Sequence, residues 1–470
     1  MKQRDTSLDA LRGIAILAMV FSGSITYADV LPAWMYHAQV PPPNHKFIET
    51  IAGITWVDLV FPFFLFSMGA SIPLALSKQL EDNSNFGEIL LIATRRFAFL
   101  AFFALFTEHM KPWVLSATPA FKDYVLSISG FVLIFFQLYN YKGSNYPKLF
   151  LYCKIAAFAV ALLLLYLLPF GGKGFQLSKS DIIIIVLANM AFFGTIIWWL
   201  TKTNPWIRVG ILPFMFAIFL AAKEPVNDWQ KVVYNFSQIG SWNFEWLYRF
   251  YFLKYLFIII PGTFAGEWLL QNKGKGSCAE LNKATLLYAG LLSFTLVISN
   301  TVFLFSRQLI TNFFLTIILL ASLHFVFKKV KNVGYQLLVQ FFNAGTYLLL
   351  LGLFFEAYEG GIKKDHSTYS YYFVTSGLAF FMLIFFSCIG PLKIGNSINK
   401  YLSLNGRNPM VAYVAGSLLI IPLLHIANAI TLLDSMNGNA MWGVLKGVVF
   451  VGLVSFVTII FTQKKWFWKT

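Results

Sequence analysis

Charged residues are scarce in this sequence. They make up 12% of the 470 residues, whereas 58% of the residues are hydrophobic and the mean hydropathy is +0.68. Soluble globular proteins carry roughly 25% charged residues, so the composition excludes an ordinary soluble domain. Apolar runs of about 20 residues recur along the chain, and a helix of that length crosses a bilayer. The sequence therefore predicts a polytopic membrane protein whose environment is the lipid bilayer.

Cysteine is also rare. The three cysteines are Cys153, Cys278 and Cys388, and they lie far apart in or beside apolar segments. The sequence contains no CxxC pair and no cluster of cysteine and histidine, so neither a disulfide framework nor a zinc site is indicated. We expect the three cysteines to be packing residues and the protein to bind no metal.

Acidic residues are fewer than basic ones: 20 Asp and Glu stand against 36 Lys and Arg, which gives a net charge of +16. No basic stripe or aromatic-basic module accompanies this charge, so we expect no nucleic-acid partner. Basic residues of membrane proteins collect in cytoplasmic loops. If the N-terminus is cytoplasmic and the helices alternate, about two thirds of the basic residues fall in such loops. We therefore predict a multi-pass protein of the inner membrane with a cytoplasmic N-terminus.

The apolar segments indicate an all-α fold with about 10–14 transmembrane helices. We found no internal repeat, low-complexity tail or soluble domain, so we predict a single membrane-embedded domain over residues 1–470. The segments near 206–222 and 309–328 are the weakest candidates. All the candidates lie at about 8–27, 54–77, 89–106, 121–140, 149–168, 181–201, 206–222, 250–270, 285–306, 309–328, 335–355, 368–391, 410–432 and 441–462.

Titratable side chains crowd the start of the second apolar segment. Asp58 lies at its beginning, and His37, His45 and the prolines Pro41–Pro43 precede it. An acid in the first turn of a helix interacts favourably with the helix dipole, which would explain Asp58 alone. A carboxylate beside an imidazole also fixes the tautomer of the ring and raises its basicity, as a general base requires. We therefore hypothesise that Asp58 orients a catalytic histidine, with His37 and His45 as the candidates.

Three blocks carry motifs in addition to hydropathy. Ser7–Ala75 contains SLDALRGIAILAMVF, an HA pair and GITWVDLVFPFFLFSMG; Glu359–Gly377 reads EGGIKKDHSTYSYYFVTSG; and Gly406–Tyr413 reads GRNPMVAY. Together these blocks resemble the heparan-α-glucosaminide N-acetyltransferase family of membrane acetyltransferases. Some bacterial relatives of that family are described as N-acetylglucosamine-related transporters. The rest of the chain is similar only in hydropathy.

The resemblance implies roles for particular residues. In that family a histidine in the outer loop after the LDxxRG helix carries the transfer, and the aspartate of DLVFP lies nearby. Asp58 matches the aspartate, and His37 matches the histidine through its HA pair. His45 competes by spacing, because QVPPPNHKFIETIA is inserted before GIT. The family's asparagine near the end of the first helix and its R-x-x-GVLQR segment have no counterpart here. Lys364 aligns with a family lysine, and His366 follows it.

The activity implied is transfer of acetyl from cytoplasmic acetyl-CoA, a co-substrate, to an amino sugar of the glucosamine type or a glycan end at the outer face. His37 would accept the amine proton or carry the acetyl group, and the sequence favours neither route. We expect sugar contacts from Trp56, Lys364 and His366. The candidate contacts for the phosphates of acetyl-CoA are Arg12, Arg95, Arg96, Arg407 and Asn408. Each of these arginines is equally well explained as a topology signal.

A permease is the alternative function. In an amino-sugar or N-acetylglucosamine permease of the inner membrane, His37 and Asp58 would bind sugar hydroxyls or relay protons. A structural or assembly factor of the envelope would leave these titratable groups unexplained. The sequence leaves the acceptor sugar and a homo-oligomer open.

Overall fold

The computed structural model describes residues 6–81, 84–139, 147–225, 228–272, 282–328 and 335–468. These residues are predominantly helical, and thirteen helical segments among them are long and apolar enough to cross a bilayer. The predicted all-α, polytopic fold is therefore confirmed. Cys388 is buried and Cys153 is partly buried, whereas Cys278 lies outside the described residues.

The helices follow one another along the chain, and a long connection at residues 25–55 carries His37 and His45. The α-helices are α1 (Thr6–Ser24), α2 (Trp56–Ala75), α3 (Ser77–Glu81), α4 (Phe86–His109), α5 (Pro112–Leu115), α6 (Phe121–Leu138), α7 (Pro147–Leu167), α8 (Ile182–Leu200), α9 (Pro205–Ala221), α10 (Trp229–Tyr234), α11 (Leu256–Gln271), α12 (Lys283–Phe305), α13 (Leu309–Lys328), α14 (Gln336–Phe354), α15 (Tyr369–Ile389), α16 (Lys393–Gly406), α17 (Pro409–Ala415), α18 (Ile421–Ile426), α19 (Ile430–Ser435) and α20 (Ala440–Gln463). Segments of 3-10 helix lie at Ala33–Met35, Phe250–Tyr255, Phe355–Gly360 and Met436–Gly438, and a π-helical turn lies at Gly416–Ile420. The strands β1 (Gln238–Ile239) and β2 (Trp242–Asn243) pair antiparallel.

Most apolar segments form a helix close to the predicted bounds, and three regions differ. The segment near 206–222 forms α9, which has 17 residues and is shorter than the thirteen candidate spans. The segment near 410–432 is divided among α17, the π-helical turn and α18, and it stops before Asn428, whose φ of 54° is left-handed. The polar stretch after α15 was expected to be a loop but forms α16.

The described chain divides into two compact units. The first unit consists of Met1–Lys78, Phe257–Pro409 and Met436–Gly452, and the second of Gln79–Leu256, Met410–Ser435 and Leu453–Thr470. In the first unit α1 packs against α2, α15 and α16, and α15 also packs against α12 and α14. In the second, α4 packs against α8, and α6 packs against α7 and α18. Both units are built from apolar helices, and the expectation of a single membrane-embedded domain stays a prediction.

Glycine allows α1 and α16 to approach closely in the first unit. A Cβ atom on Gly13 would lie 2.0 Å from the carbonyl oxygen of Leu402, and one on Gly406 would lie 1.9 Å from the carbonyl oxygen of Asp9. Small residues permit this backbone contact between membrane helices. The close packing fixes the first turns of α1 against the end of α16, and it brings the charged residues of both helices together.

Candidate active site

Asp58 is held rigidly at the start of α2. Its carboxylate is buried, with 2% of the side chain exposed. The Thr55 N–H donates to Oδ2 at 2.9 Å, and the Ala38 N–H donates to the same oxygen at 3.2 Å. The Tyr371 hydroxyl donates to the Asp58 carbonyl oxygen at 2.7 Å, which fixes α15 to this turn. Asp58 therefore stabilises the N-terminus of α2 and also anchors the loop that precedes the helix.

His37 is the histidine that contacts Asp58. Its Nδ1 atom lies 2.6 Å from Oδ1 of the carboxylate. A carboxylate can only accept, so Nδ1 carries the hydrogen, and in the neutral ring Nε2 is then the atom with a free lone pair. The His37 side chain remains 36% exposed. The pair is thus a partly exposed imidazole that is oriented by a buried carboxylate.

His45 lies in a different environment. Its ring packs edge-on against Tyr36, with the centroids 4.5 Å apart, and against Tyr27 at 5.2 Å. Neither ring nitrogen has a hydrogen-bond partner among the described residues. The Tyr36 hydroxyl donates to the Thr26 carbonyl oxygen at 2.6 Å, and burial raises the pKa of the Tyr36 phenol. His45 therefore helps to pack the loop that carries His37, and the geometry favours His37 as the base.

Lys364 brings a positive charge to the imidazole. Its Nζ atom lies 3.3 Å from both Nδ1 and Nε2 of His37. Because the two distances are equal, Nζ lies to the side of the Nε2 lone-pair axis and does not block it. This contact joins the first and second motif blocks. The expected contact of Lys364 with the sugar stays a prediction.

A buried glutamine, which sequence reasoning missed, holds the Lys364 loop in place. Oε1 of Gln39 accepts from the Asp365 N–H at 2.8 Å, and Nε2 donates to the Asp365 carbonyl oxygen and, at 3.3 Å, to that of Glu49. The Gly53 N–H donates to the Ile362 carbonyl oxygen at 2.7 Å, which adds a second tie between the two loops. Gln39 immediately follows the HA pair, and this polar residue beside the motif was the signal available in the sequence.

The other two expected sugar contacts, His366 and Trp56, have different neighbours. His366 is exposed, and its Nε2 lies 3.8 Å from a carboxylate oxygen of the exposed Glu49. The ring of Trp56 packs against Phe21 of α1, with the centroids 5.7 Å apart. Trp56 precedes Asp58 by two residues in a helix, so the two side chains point in different directions. The proposed contacts of Trp56 and His366 with sugar stay predictions.

Two of the expected phosphate contacts, Arg12 and Arg407, form a partly buried ionic cluster with Asp9. Arg12 donates to Asp9 at 3.4 Å, to the Gly406 carbonyl oxygen at 3.2 Å, and to α2 through the carbonyl of Ser67 and the hydroxyl of Ser71. Arg407 donates to the second oxygen of Asp9 at 3.4 Å. Arg12 thus connects α1, α2 and α16. Because the guanidinium of Arg12 already donates to these three helices, a structural role is favoured for Arg12.

The ionic cluster lies well along α2 from the imidazole. Ser67 and Ser71 follow Asp58 by nine and thirteen residues, which corresponds to roughly 14–20 Å along the axis of the helix. The Arg407 side chain keeps 31% of its surface exposed, and Asn408 is buried. Of the residues in this cluster, Arg407 is therefore the most accessible to a ligand.

Arg95 and Arg96 belong to α4 of the second unit. The Arg95 guanidinium lies 5.4 Å from the centroid of the Phe99 ring, and Lys154 of α7 lies 5.0 Å from the same ring. Arg95 is exposed, and Arg96 is partly buried. The exposed guanidinium leaves donors for an anion, and both arginines remain candidate phosphate contacts on the sequence argument.

The site in the first unit combines three groups that acyl transfer uses: a carboxylate that orients an imidazole, a ring nitrogen with a lone pair, and a cation beside the ring. A family model described as "Domain of unknown function (DUF5009)" matches residues 4–269, more than half of the chain. The matched range includes His37, Gln39 and Asp58, whereas Lys364 lies beyond it. No curated protein matches the sequence. The protein belongs to the family of the domain of unknown function DUF5009.

Proposed function

We propose that the protein is a membrane acetyltransferase that moves acetyl from cytoplasmic acetyl-CoA to the amino group of a glucosamine-type sugar at the outer face of the inner membrane. The observation that carries the proposal is the 2.6 Å contact between Nδ1 of His37 and the buried carboxylate of Asp58, with 36% of the His37 side chain exposed. A structural protein has no need for a partly exposed imidazole that is oriented in this way.

The Nε2 lone pair of His37 serves both routes of transfer. In direct transfer, Nε2 takes the proton of the sugar amine while the amine nitrogen attacks the thioester carbon and the carbon–sulfur bond breaks. In stepwise transfer, Nε2 itself attacks the thioester carbon and the CoA thiolate leaves. The sugar amine then attacks the acetyl carbon, the bond from that carbon to Nε2 breaks, and the released Nε2 takes the amine proton. In both routes His37 becomes positively charged, and the carboxylate of Asp58 stabilises that charge.

Acetyl-CoA and the sugar would approach the site from opposite sides of the bilayer. The phosphates of acetyl-CoA do not cross lipid, so they require cations on the cytoplasmic side. In the first unit Arg407 fits this need better than Arg12, because its guanidinium is more exposed. The proposal needs the His37 loop on the outer side and the ends of α1 and α16 near Asp9 on the inner side.

The test is an assay of the purified protein in detergent with acetyl-CoA and glucosamine. We expect release of free CoA thiol that depends on the sugar, together with an equal amount of acetylated sugar measured by mass spectrometry. Asp58→Ala should remove both products. A wild-type protein that releases no CoA above the rate of spontaneous hydrolysis, with glucosamine or with glycan fragments that end in glucosamine, would overturn the proposal.

A permease is the second candidate because two of the spans are irregular. Pro62 and Pro73 lie inside α2, and a π-helical turn lies between α17 and α18 within one continuous span. Irregular membrane helices are common around the substrate sites of secondary transporters. Uptake of labelled glucosamine or N-acetylglucosamine into proteoliposomes, without release of CoA, would favour the permease over the acetyltransferase.

A further inference from the structure

The position of Lys364 suits a reacting oxygen better than a sugar. Its ammonium lies beside the imidazole and to the side of the Nε2 lone-pair axis, so the direction from which His37 reacts stays open. The sugar amine that attacks the thioester is neutral, so it carries no charge that would attract the ammonium of Lys364. A carbonyl oxygen that gains negative charge would instead be attracted to the ammonium.

Acyl transfer generates that negative charge at a predictable place. When a nucleophile attacks the thioester carbon, the π electrons of the carbonyl move to its oxygen, and the tetrahedral intermediate collapses when the CoA thiolate leaves. The carbonyl carbon is within bonding distance of Nε2 or of the amine that Nε2 deprotonates. Its oxygen is therefore close to the imidazole, where the flexible side chain of Lys364 can reach it.

Gln39 fixes the position of the loop that carries Lys364. The Gln39 side chain is buried, with 3% of its surface exposed, and both polar groups of its amide bind the backbone of Asp365, the residue after Lys364. Two residues earlier, His37 contacts Asp58, and between them the Ala38 N–H donates to the same carboxylate. Three consecutive residues thus connect the imidazole, the carboxylate and the Lys364 loop.

We propose that Lys364 is a further catalytic residue, whose ammonium stabilises the oxyanion of the acetyl carbonyl, and that Gln39 is the positioning residue that holds Lys364 beside His37. The inference rests on the proposed acetyl transfer. It differs from the sequence expectation that Lys364 binds the sugar, and the two roles give opposite kinetic results.

The first experiment separates these roles by kcat and KM. An interaction made only in the transition state lowers kcat, whereas a uniform contact with the sugar raises KM and leaves kcat unchanged. We expect Lys364→Gln to lower kcat about 10²–10³-fold, the loss typical of an oxyanion donor, with KM for the sugar little changed. Lys364→Arg keeps the charge and should retain most of the activity. The control is Lys363→Gln, at the adjacent lysine, and it should behave as the wild type.

The second experiment tests the positioning by Gln39. We expect Gln39→Leu to lower kcat about 10- to 100-fold, because a misplacement of about 1 Å costs that much. The double variant with Lys364→Gln should be no slower than Lys364→Gln alone, since Gln39 acts through that lysine. Gln137→Leu is the matched control: Gln137 is also buried and donates to a backbone oxygen, that of Ala157, in the second unit.

Limited trypsin digestion provides a readout that does not depend on activity. If Gln39 holds the loop, Gln39→Leu should accelerate cleavage after Lys363 and Lys364, and Gln137→Leu should not. A raised KM with unchanged kcat in Lys364→Gln, or additive losses in the double variant, would overturn the inference while the acetyltransferase stands. If the wild type releases no CoA, the proposed function is wrong and so is the role of Lys364. Faster cleavage of Gln39→Leu than of Gln137→Leu would in that case support only the contact between Gln39 and the Lys364 loop.

Discussion

Asp58→Asn tests the orientation of His37 with very little change in shape. The carboxamide oxygen can still accept from the Thr55 and Ala38 N–H groups, so α2 keeps its capping contacts. The other position becomes an NH₂ group, which donates to Nδ1 of His37 across the same 2.6 Å contact. The hydrogen of the neutral ring then moves to Nε2, and the lone pair that the reaction needs is lost.

The expected loss follows from the tautomer. In a serine protease the equivalent aspartate-to-asparagine change lowers kcat about 10⁴-fold for this reason. We expect a loss of about 10³–10⁴-fold for Asp58→Asn, which raises the barrier by about 4–5.5 kcal/mol at about 1.36 kcal/mol per factor of ten. The assay is sugar-dependent release of CoA thiol by the purified variant at saturating acetyl-CoA.

Asp123→Asn is the matched control for this prediction. Asp123 is a buried aspartate in the first turn of α6, and it accepts from the Ala120 N–H at 2.8 Å, as Asp58 accepts from the Thr55 N–H. Its replacement should leave kcat unchanged and cost a similar amount of stability. If Asp58→Asn kept the wild-type kcat, or if both variants lost activity equally, orientation of His37 by the carboxylate would be refuted.

Three further predictions concern the topology, the arginines expected to bind the phosphates of acetyl-CoA, and the packing of the helices. Reporter fusions near Lys46 should report an external location and fusions after Lys78 a cytoplasmic one, and a cytoplasmic Lys46 would contradict transfer across the membrane. Joint replacement of Arg95 and Arg96 by glutamine should raise KM for acetyl-CoA about 10- to 150-fold, because the loss of a charge-assisted hydrogen bond costs about 1.5–3 kcal/mol. An unchanged KM would mean that the two arginines serve only as topology signals. Gly406→Ala should lower the free energy of unfolding by about 1–3 kcal/mol in thermal unfolding, because its Cβ would overlap the Asp9 carbonyl oxygen. Gly452→Ala should not, because no atom of another element among the described residues lies within 4 Å of that Cβ position.

Hydropathy predicted the membrane helices well because their apolar length is a property of the local sequence. Hydropathy failed at α16, where the buried face is polar and apolar residues are exposed. The face of α16 that packs on the protein carries small and polar residues such as Gly395 and Asn399, whereas Ile394 and Ile398 are exposed. Glycine at this interface permits close backbone packing, and no hydropathy scale records that benefit.

Most residues of the candidate site could be predicted from the sequence, but the contacts between them could not. The sequence identified Asp58 and offered His37 and His45, but the choice between them depends on the path of the loop, which buries His45 against tyrosines. Lys364 lies more than 300 residues from His37, so no local pattern could bring the two together. Gln39 was missed because its importance lies entirely in its contacts with the backbone of the distant Lys364 loop.

The most direct test of the account compares His37→Ala with His45→Ala in the assay of CoA release. The two histidines lie in the same loop, and only His37 contacts the Asp58 carboxylate. We expect His37→Ala to lose at least the 10²–10⁴-fold that a general base contributes, with expression and thermal unfolding close to those of the wild type. His45→Ala should retain kcat, because the His45 ring packs against Tyr27 and Tyr36 and not against the carboxylate. If His45→Ala abolished the release of CoA and His37→Ala did not, or if neither variant slowed it, the assignment of His37 as the reacting group would be wrong.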